Sequence, residues 1–258
     1  MASWKNNEEL FALIREKLYT PVVGDILDQM GYTHQFLPAA IRPLTALVPP
    51  SMVGHFADDK RNKLVGWACT ILENDIYAPA KKPFGYLTES LDQLRPGEVY
   101  VATGAHNSAL WGELLTATSR TKGAVGAVLD GCTGDAPQVL EQIFPVFCPG
   151  CWAQDSSVRT YVCDYRCTIE IGQVTIHDGD LIFGDVDGVL VVPKEIVEPV
   201  MEKAISVGDI EDEGDTVYQN ALRRLFREED AAADGKYAVT WLRIFDRMEQ
   251  VLEAALEK

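Results

Sequence analysis

Hydrophobic positions along the chain recur with two distinct periods, and these delimit the elements. Between Glu8 and Tyr19, Leu10, Phe11, Ile14 and Leu18 fall at helical spacing and predict a helix. Thr20-Pro21 places an N-cap before a first-turn proline, so a second helix is expected through Asp25, Ile26, Leu27 and Met30 to Gly31. Leu37 to Pro50 is proline-rich and reads as irregular toward its end, and Leu64 to Leu72 reads as a strand. In the mixed stretch Tyr77 to Leu94, Lys81-Lys82-Pro83 predicts a loop before a short helix. The turn Arg95-Pro96-Gly97-Glu98 leads into a buried strand, Val99-Tyr100-Val101-Ala102. Gly112 to Lys122 is apolar on one face and predicts a helix, and Gly123 to Asp130 predicts the strand after it. Further strands are expected around Thr168 to Ile176, at Leu181 to Phe183 and at Gly188 to Pro193, before a helix from Lys194 to Ile205.

Alternating strands and helices define the α/β class, and no internal repeat recurs at a fixed period. From about Gly208 the composition changes: Asp209 to Asp215 is acidic, Arg223-Arg224-Leu225-Phe226-Arg227 is basic, and Ala231 to Gly235 is a break. Trp241, Phe245, Met248, Leu252 and Ala255 then mark one face of a terminal helix. The expected organisation is an α/β domain over 1–207 with a helical C-terminal extension over 208–258. The apolar face of that last helix reads as core or subunit contact, because its polar side carries Glu249 and Glu253 instead of a basic, membrane-facing band.

Composition narrows the function. Of 258 residues, 47% are hydrophobic and 24% charged, which is globular material able to bury a core. The formal net charge of −16 argues against sequence-independent binding of nucleic acid, which requires Lys and Arg to displace counterions. An anionic ligand would need local help from a cation, a helix start or a metal. The first residues lack the apolar core of a signal peptide, and no apolar run is long enough to span a bilayer, so a cytoplasmic location is expected. The six cysteines should then stay reduced. Cys148-x2-Cys151 and Cys163-x3-Cys167 resemble zinc-ribbon pairs, but they fall in strand-like stretches, which favours buried thiols over structural zinc.

The chemistry concentrates between Trp111 and Asp135. Gly112 opens a helix whose first N–H groups are free to bind a carboxylate. Asp130-Gly131 ends a buried strand, and Asp135 follows closely. An anion-binding helix start beside exposed carboxylates is what a metal-bridged oxo acid requires.

The run Ala109-Leu110-Trp111-Gly112-Glu113-Leu114-Leu115-Thr116, followed by Lys122-Gly123-Ala124-Val125-Gly126-Ala127-Val128-Leu129-Asp130-Gly131-Cys132-Thr133-Gly134-Asp135, resembles the family holding 4-hydroxy-4-methyl-2-oxoglutarate aldolase and the regulator of ribonuclease E activity. The similarity extends from about Leu18 to Glu213 and takes in Thr20 to Asp28, Phe144 to Phe147 and Gly179 to Pro193. The resemblance implies a compact α/β domain with a swivelling-type β/β/α sheet arrangement. It also implies trimers, or hexamers built from them, with sites between neighbouring subunits. It assigns Asp135 as the Mg²⁺ or Mn²⁺ ligand and Glu113 as an acid holding the metal's waters. The Gly112 helix start is implied to bind the pyruvate carboxylate through the N–H groups of Leu114 and Leu115, and Glu211 of a neighbouring subunit is a weaker match to another acid near the metal.

One departure matters. The family's aldolases carry Arg-Asp where this chain has Gly134-Asp135, and that arginine steadies the enolate. Losing one stabiliser of developing charge commonly costs ~10²–10³ in rate. The candidates for a replacement cation are Lys60, Arg61, Lys81, Lys82, His106 and Arg159, none of which the sequence places at the site. Each marked residue also has a plain alternative. Asp135 is a candidate cap before Pro137, and Glu113 a first-turn glutamate favoured by the helix dipole. His106 reads as a loop histidine, Cys132 as a lining thiol without a base, and Asp185 and Asp187 as turn residues. The expected function is a divalent-metal-dependent carbon–carbon lyase for a small 2-oxo or hydroxy acid. The alternatives are a non-catalytic regulator of the ribonuclease type and a metal-dependent enzyme with a sugar-acid-like substrate.

Overall fold

The structure is a computed structural model, and it describes residues 4–53, 59–208 and 243. The chain divides into two units, Met1–Glu202 and Lys203–Lys258. The expected terminal helix around Trp241, and Glu211 with it, lie outside the described residues.

Helix α1 (Asn7–Lys17) starts at Asn6, whose side chain accepts the Glu9 N–H at 2.9 Å, and it buries Leu10, Phe11 and Ile14. Helix α2 (Thr20–Gln29) corrects one expectation: Thr20 is inside the helix and does not cap it. The capping group is Asp185, 165 residues away, whose carboxylate accepts the Thr20 N–H and the Thr20 hydroxyl, each at 2.7 Å. Asp185 is therefore more than a turn residue, although it also accepts the Asp187 N–H.

After strand β1 (Arg42–Pro43) and the short helix α3 (Leu44–Leu47) comes the long strand β2 (Leu64–Asp75), three residues longer than its hydrophobic run predicts. It continues through Glu73, which is buried. Strand β3 (Phe84–Gly85) and helix α4 (Leu87–Asp92) resolve the mixed stretch and lead to β4 (Glu98–Thr103), buried along its whole length. Strand β5 (Ala109–Trp111), helix α5 (Glu113–Thr121), strand β6 (Gly126–Leu129), strand β7 (Cys132–Thr133) and helix α6 (Ala136–Glu141) follow. The remainder comprises β8 (Val146–Cys148), β9 (Thr160–Tyr165), β10 (Ile169–Ile171), β11 (Val174–Ile176), β12 (Leu181–Asp185), β13 (Gly188–Val192) and helical backbone over 197–208.

The main sheet runs β1-β8-β6-β4-β2-β12-β13, with β9 and β3 joined to the far part of β2. Strands β2, β4, β6 and β8 are mutually parallel, and the rim pairings β1–β8, β2–β12 and β12–β13 are antiparallel. Alternation along the parallel strands divides the core in two. Cys69, Ile71, Tyr100, Ala102, Ala127 and Leu129 face Leu91, Val139 and Leu140 of the helix layer. Ala68, Val99, Val101 and Val128 face Ile169, Ile171, Val174 and Ile176 of the β10–β11 hairpin. A sheet sandwiched between helices and a hairpin is the expected β/β/α arrangement.

Candidate functional site

The carboxyl ends of β4 and β6 open toward a cluster of loops, the usual place for a site in an open α/β sheet. Thr103 ends β4 and donates its hydroxyl proton to Asp130, just past β6, at 2.8 Å. The chain then turns through Gly104 to Ser108, where the backbone N–H groups of His106 and Asn107 donate to the Asp75 carboxylate at 3.1–3.2 Å. Of His106, this network uses the backbone. Strands β5 and β7 pair in parallel and carry the chain into the starts of α5 and α6.

Those starts bring together two of the expected residues. Asp135 precedes α6 with left-handed backbone (φ 49°, ψ 36°), a region that Asp tolerates better than most side chains. Its carboxylate caps α5 and not its own helix: Oδ2 accepts the Glu113 N–H at 3.3 Å. Gly112 leaves room for this approach: a Cβ there would stand 2.6 Å from the same oxygen, and the Asp135 side chain would have to shift. Leu114 and Leu115 follow Glu113 in the first turn of α5, where amides have no acceptor in a preceding turn. Asp135 and Leu114 are exposed, Glu113 and Leu115 half-buried. The mutual placement of Gly112, Glu113, Leu114, Leu115 and Asp135 is thus a carboxylate set against an exposed helix start.

Gly134 lies beside this cluster with its N–H donated to Trp111 O at 2.8 Å. A Cβ at position 134 would make only ordinary contacts, 3.6 Å to the carbonyls of Trp111 and Trp152 and 3.8 Å to Ala109. The space there accepts a side chain. Several candidate cations are engaged elsewhere: Arg61 pairs with Asp59 and reaches the Leu140 carbonyl, Lys82 pairs with Glu89, and Arg159 donates to Asp155 O.

Among the described residues, no three His, Cys, Asp or Glu side chains converge as a metal-holding group. All six cysteines are free. Burial pushes the Cys69 and Cys148 thiols up to about 12, and desolvation also raises Cys132, which holds it in the unreactive thiol form. Cys163 donates to Leu72 O from within β9, and Cys148, the last residue of β8, donates to Gly150 O; Cys148 is buried, whereas Cys151 is exposed and Cys163 and Cys167 are half-buried.

Sequence reasoning missed three supports of this site. Thr116 is fully buried and accepts the Trp111 indole N–H at 2.7 Å. Gln142 donates its side-chain N–H to Glu113 O at 2.9 Å. Glu73 sits buried behind the loops; desolvation, then the nearby Asp75, pushes its carboxyl up to about 8. None leaves a local pattern: Glu73 follows the apolar run that ends at Leu72 and is itself followed by Asn74-Asp75.

A three-layer β/β/α domain with a carboxylate at an open helix start defines the class of protein. The chain belongs to the RraA-like family (Aldolase/RraA), whose model matches residues 20–191. It is 30% identical over 192 residues to Protein DlpA of Legionella pneumophila, covering 72% of this chain and 30% of DlpA. It is 36% identical over 118 residues to a Halalkalibacterium halodurans protein named "Putative 4-hydroxy-4-methyl-2-oxoglutarate aldolase", covering 45% of this chain and 56% of that one. The chain therefore matches less than two thirds of the length of these curated relatives. A crystal structure described as one of novel cellulases from gut-ecosystem microbes superposes with a TM-score of 0.71 at 30% identity, covering 83% of this chain and 91% of that one. Streptomyces coelicolor RraAS2, described as an unusual member of the RNase ES inhibitor RraA family, shares the fold with a TM-score of 0.65 at 23% identity, covering 81% and 97%. No described helix is long and apolar enough to cross a membrane.

Proposed function

We propose that the chain is a divalent-metal-dependent lyase that cleaves a carbon–carbon bond in a small 2-oxo or hydroxy acid. The observation that carries this reading is the Asp135 carboxylate anchored on the Glu113 N–H while the next two amides of α5 stay open to an anion. The family's aldolase name, and the relative named for that activity, support the same class.

The donors fit a hard cation that keeps most of its water: a single exposed carboxylate, Asp135, held against the start of α5 where Glu113 stands. Asp135 would hold Mg²⁺ or Mn²⁺, Glu113 would hold a metal-bound water, and Glu211 of a neighbouring subunit is the third acid proposed. When bound, the ion would supply Lewis-acid polarisation of the 2-oxo group, stabilising the negative charge left by bond cleavage. The chain's own residues do the rest. The Leu114 and Leu115 amides bind the substrate carboxylate. The Glu113 N–H keeps Asp135 from rotating away, and the Glu113 carboxylate, through water, takes up the proton that the substrate hydroxyl releases in a retro-aldol cleavage and returns it to the departing carbon. The family resemblance implies a homo-oligomer, trimer or hexamer, with the site at the subunit boundary; Leu114, 72% exposed at the start of α5, is an apolar side chain such a boundary would cover.

Purified protein incubated with Mg²⁺ or Mn²⁺ is expected to release pyruvate from oxaloacetate or from a 4-hydroxy-2-oxo acid. Absence of pyruvate from all of them would reject the lyase. Gly134 favours a second reading, a regulator without catalysis, since it brings no cation to a developing enolate. That reading is supported if Asp135→Ala leaves every function of the protein unchanged and a protein partner co-purifies.

A further inference from the structure

Three successive carbonyls at the entry to α5 are each pinned by a different segment. Trp111 O accepts the Gly134 N–H at 2.8 Å. Gly112 O accepts both the Thr116 N–H at 3.1 Å and the Thr116 hydroxyl at 2.9 Å. Glu113 O accepts the Gln142 side-chain N–H at 2.9 Å. A threonine hydroxyl bonded back to the preceding turn is common in helices. Here, however, its oxygen also accepts the Trp111 indole N–H at 2.7 Å, so the hydroxyl proton has one direction left. Both side chains are almost fully buried, which removes water as a competitor.

A trans peptide is planar, so its N–H points opposite to its C=O. Fixing Gly112 O therefore aims the Glu113 N–H, and fixing Glu113 O aims the Leu114 N–H. The first of these amides holds Asp135, and the second opens on the proposed carboxylate position. Helix α6 serves the same cluster from both ends, with Asp135 at its N-cap and Gln142 at its C-cap.

We propose that Thr116 and Gln142 are positioning residues that preorganise this amide cradle, Thr116 orienting the amide that anchors Asp135 and Gln142 the amide that meets the substrate carboxylate. Their effect on ligand rests on the lyase reading; their effect on amide direction does not. Neither touches the reacting atoms.

The test compares full-length wild type with Thr116→Val, Thr116→Ser and Gln142→Met. Residual dipolar couplings report N–H direction at Glu113 and Leu114, and titration with oxalate in the presence of Mg²⁺ reports anion binding. Thr116→Val is expected to change the Glu113 coupling and Gln142→Met the Leu114 coupling, while couplings in α2 stay at their wild-type values. Thr116→Val and Gln142→Met are each expected to weaken oxalate by about five- to tenfold, the worth of one neutral hydrogen bond. Thr116→Ser, which keeps the hydroxyl, is expected to restore both readouts. Unchanged couplings in Gln142→Met and Thr116→Val overturn the proposal, as does unchanged oxalate affinity in variants of a wild type that binds it. If the couplings move as expected and wild type does not bind oxalate, the positioning role stands and the lyase reading fails. Gln142 is only half-buried, so its variant keeps the test open should Thr116→Val not fold.

Discussion

Two aspartates reach across the molecule to helix starts, and they end in opposite situations. Asp185 at the start of α2 is 6% exposed and accepts three hydrogen bonds, two from Thr20 and one from Asp187. Asp135 at the start of α5 is exposed and accepts one long bond, 3.3 Å, from Glu113. The same device is spent on stability in the first case and kept available in the second. A buried carboxylate with three of its roughly four acceptor sites taken by the protein has little left to offer a cation; an exposed one held by a single bond keeps most of its sites open.

The contrast is sharpest in a pair of alanine substitutions. Asp135→Ala is expected to lower pyruvate release by ~10²–10³, about 2.7–4 kcal/mol of lost stabilisation, with little change in the urea midpoint. Asp185→Ala is expected to cost ~2–4 kcal/mol of folding stability, because it leaves the buried Thr20 N–H and hydroxyl without partners. Equal loss of stability in the two variants would erase the distinction drawn between them.

Glu73 extends the comparison to a carboxyl with one oxygen, Oε1, that has no hydrogen-bond partner among the described residues. Its pKa in the folded state, about 8, lies above the ordinary 4.5, so between these values the folded protein holds a proton that the unfolded chain has released. Stability should therefore fall as pH rises through this window, by up to ~1.4 kcal/mol per unit, and level off above it. Urea midpoints at about pH 6 and about pH 8 should differ less in Glu73→Gln than in wild type. An unchanged slope would place the titration elsewhere.

Smaller effects are expected at the glycines. Gly112→Ala pushes a methyl group against the Asp135 oxygen and should reduce activity by about tenfold, roughly 1.4 kcal/mol, chiefly in kcat. Gly134→Arg meets no backbone obstacle and should raise pyruvate release several-fold if a missing cation limits the rate. No gain would count against a missing cation as the limit on the proposed reaction.

Much of this was legible in the chain. The helix after Gly112 and the strand through Leu129 follow from local periodicity, which needs no knowledge of distant partners. Where the sequence misled, the cause was non-local. Thr20 resembles a cap, but a buried carboxylate from β12 takes that role. Strand β2 reads as ending before an acid, but Glu73 pairs with Val162 of β9 and continues the sheet, and its burial there pushes its carboxyl up to about 8. The Gly112-to-Asp135 juxtaposition was readable as a motif, whereas Gln142 was invisible, since a hydrogen bond across 29 residues imposes no spacing on its neighbours. Glu211 lies outside the described residues, and its assignment remains a proposal.

Helix α6 spans only Ala136–Glu141, yet a working group stands at each end of it. One inserted or deleted residue would swing one end by about 100° relative to the other. Asp135 and Gln142 could then no longer both reach the same neighbour. Relatives that keep the cradle should consequently vary in side chains along this segment but not in its length, which makes the residue count between the two positions a simple marker for tracing the site through divergent sequences.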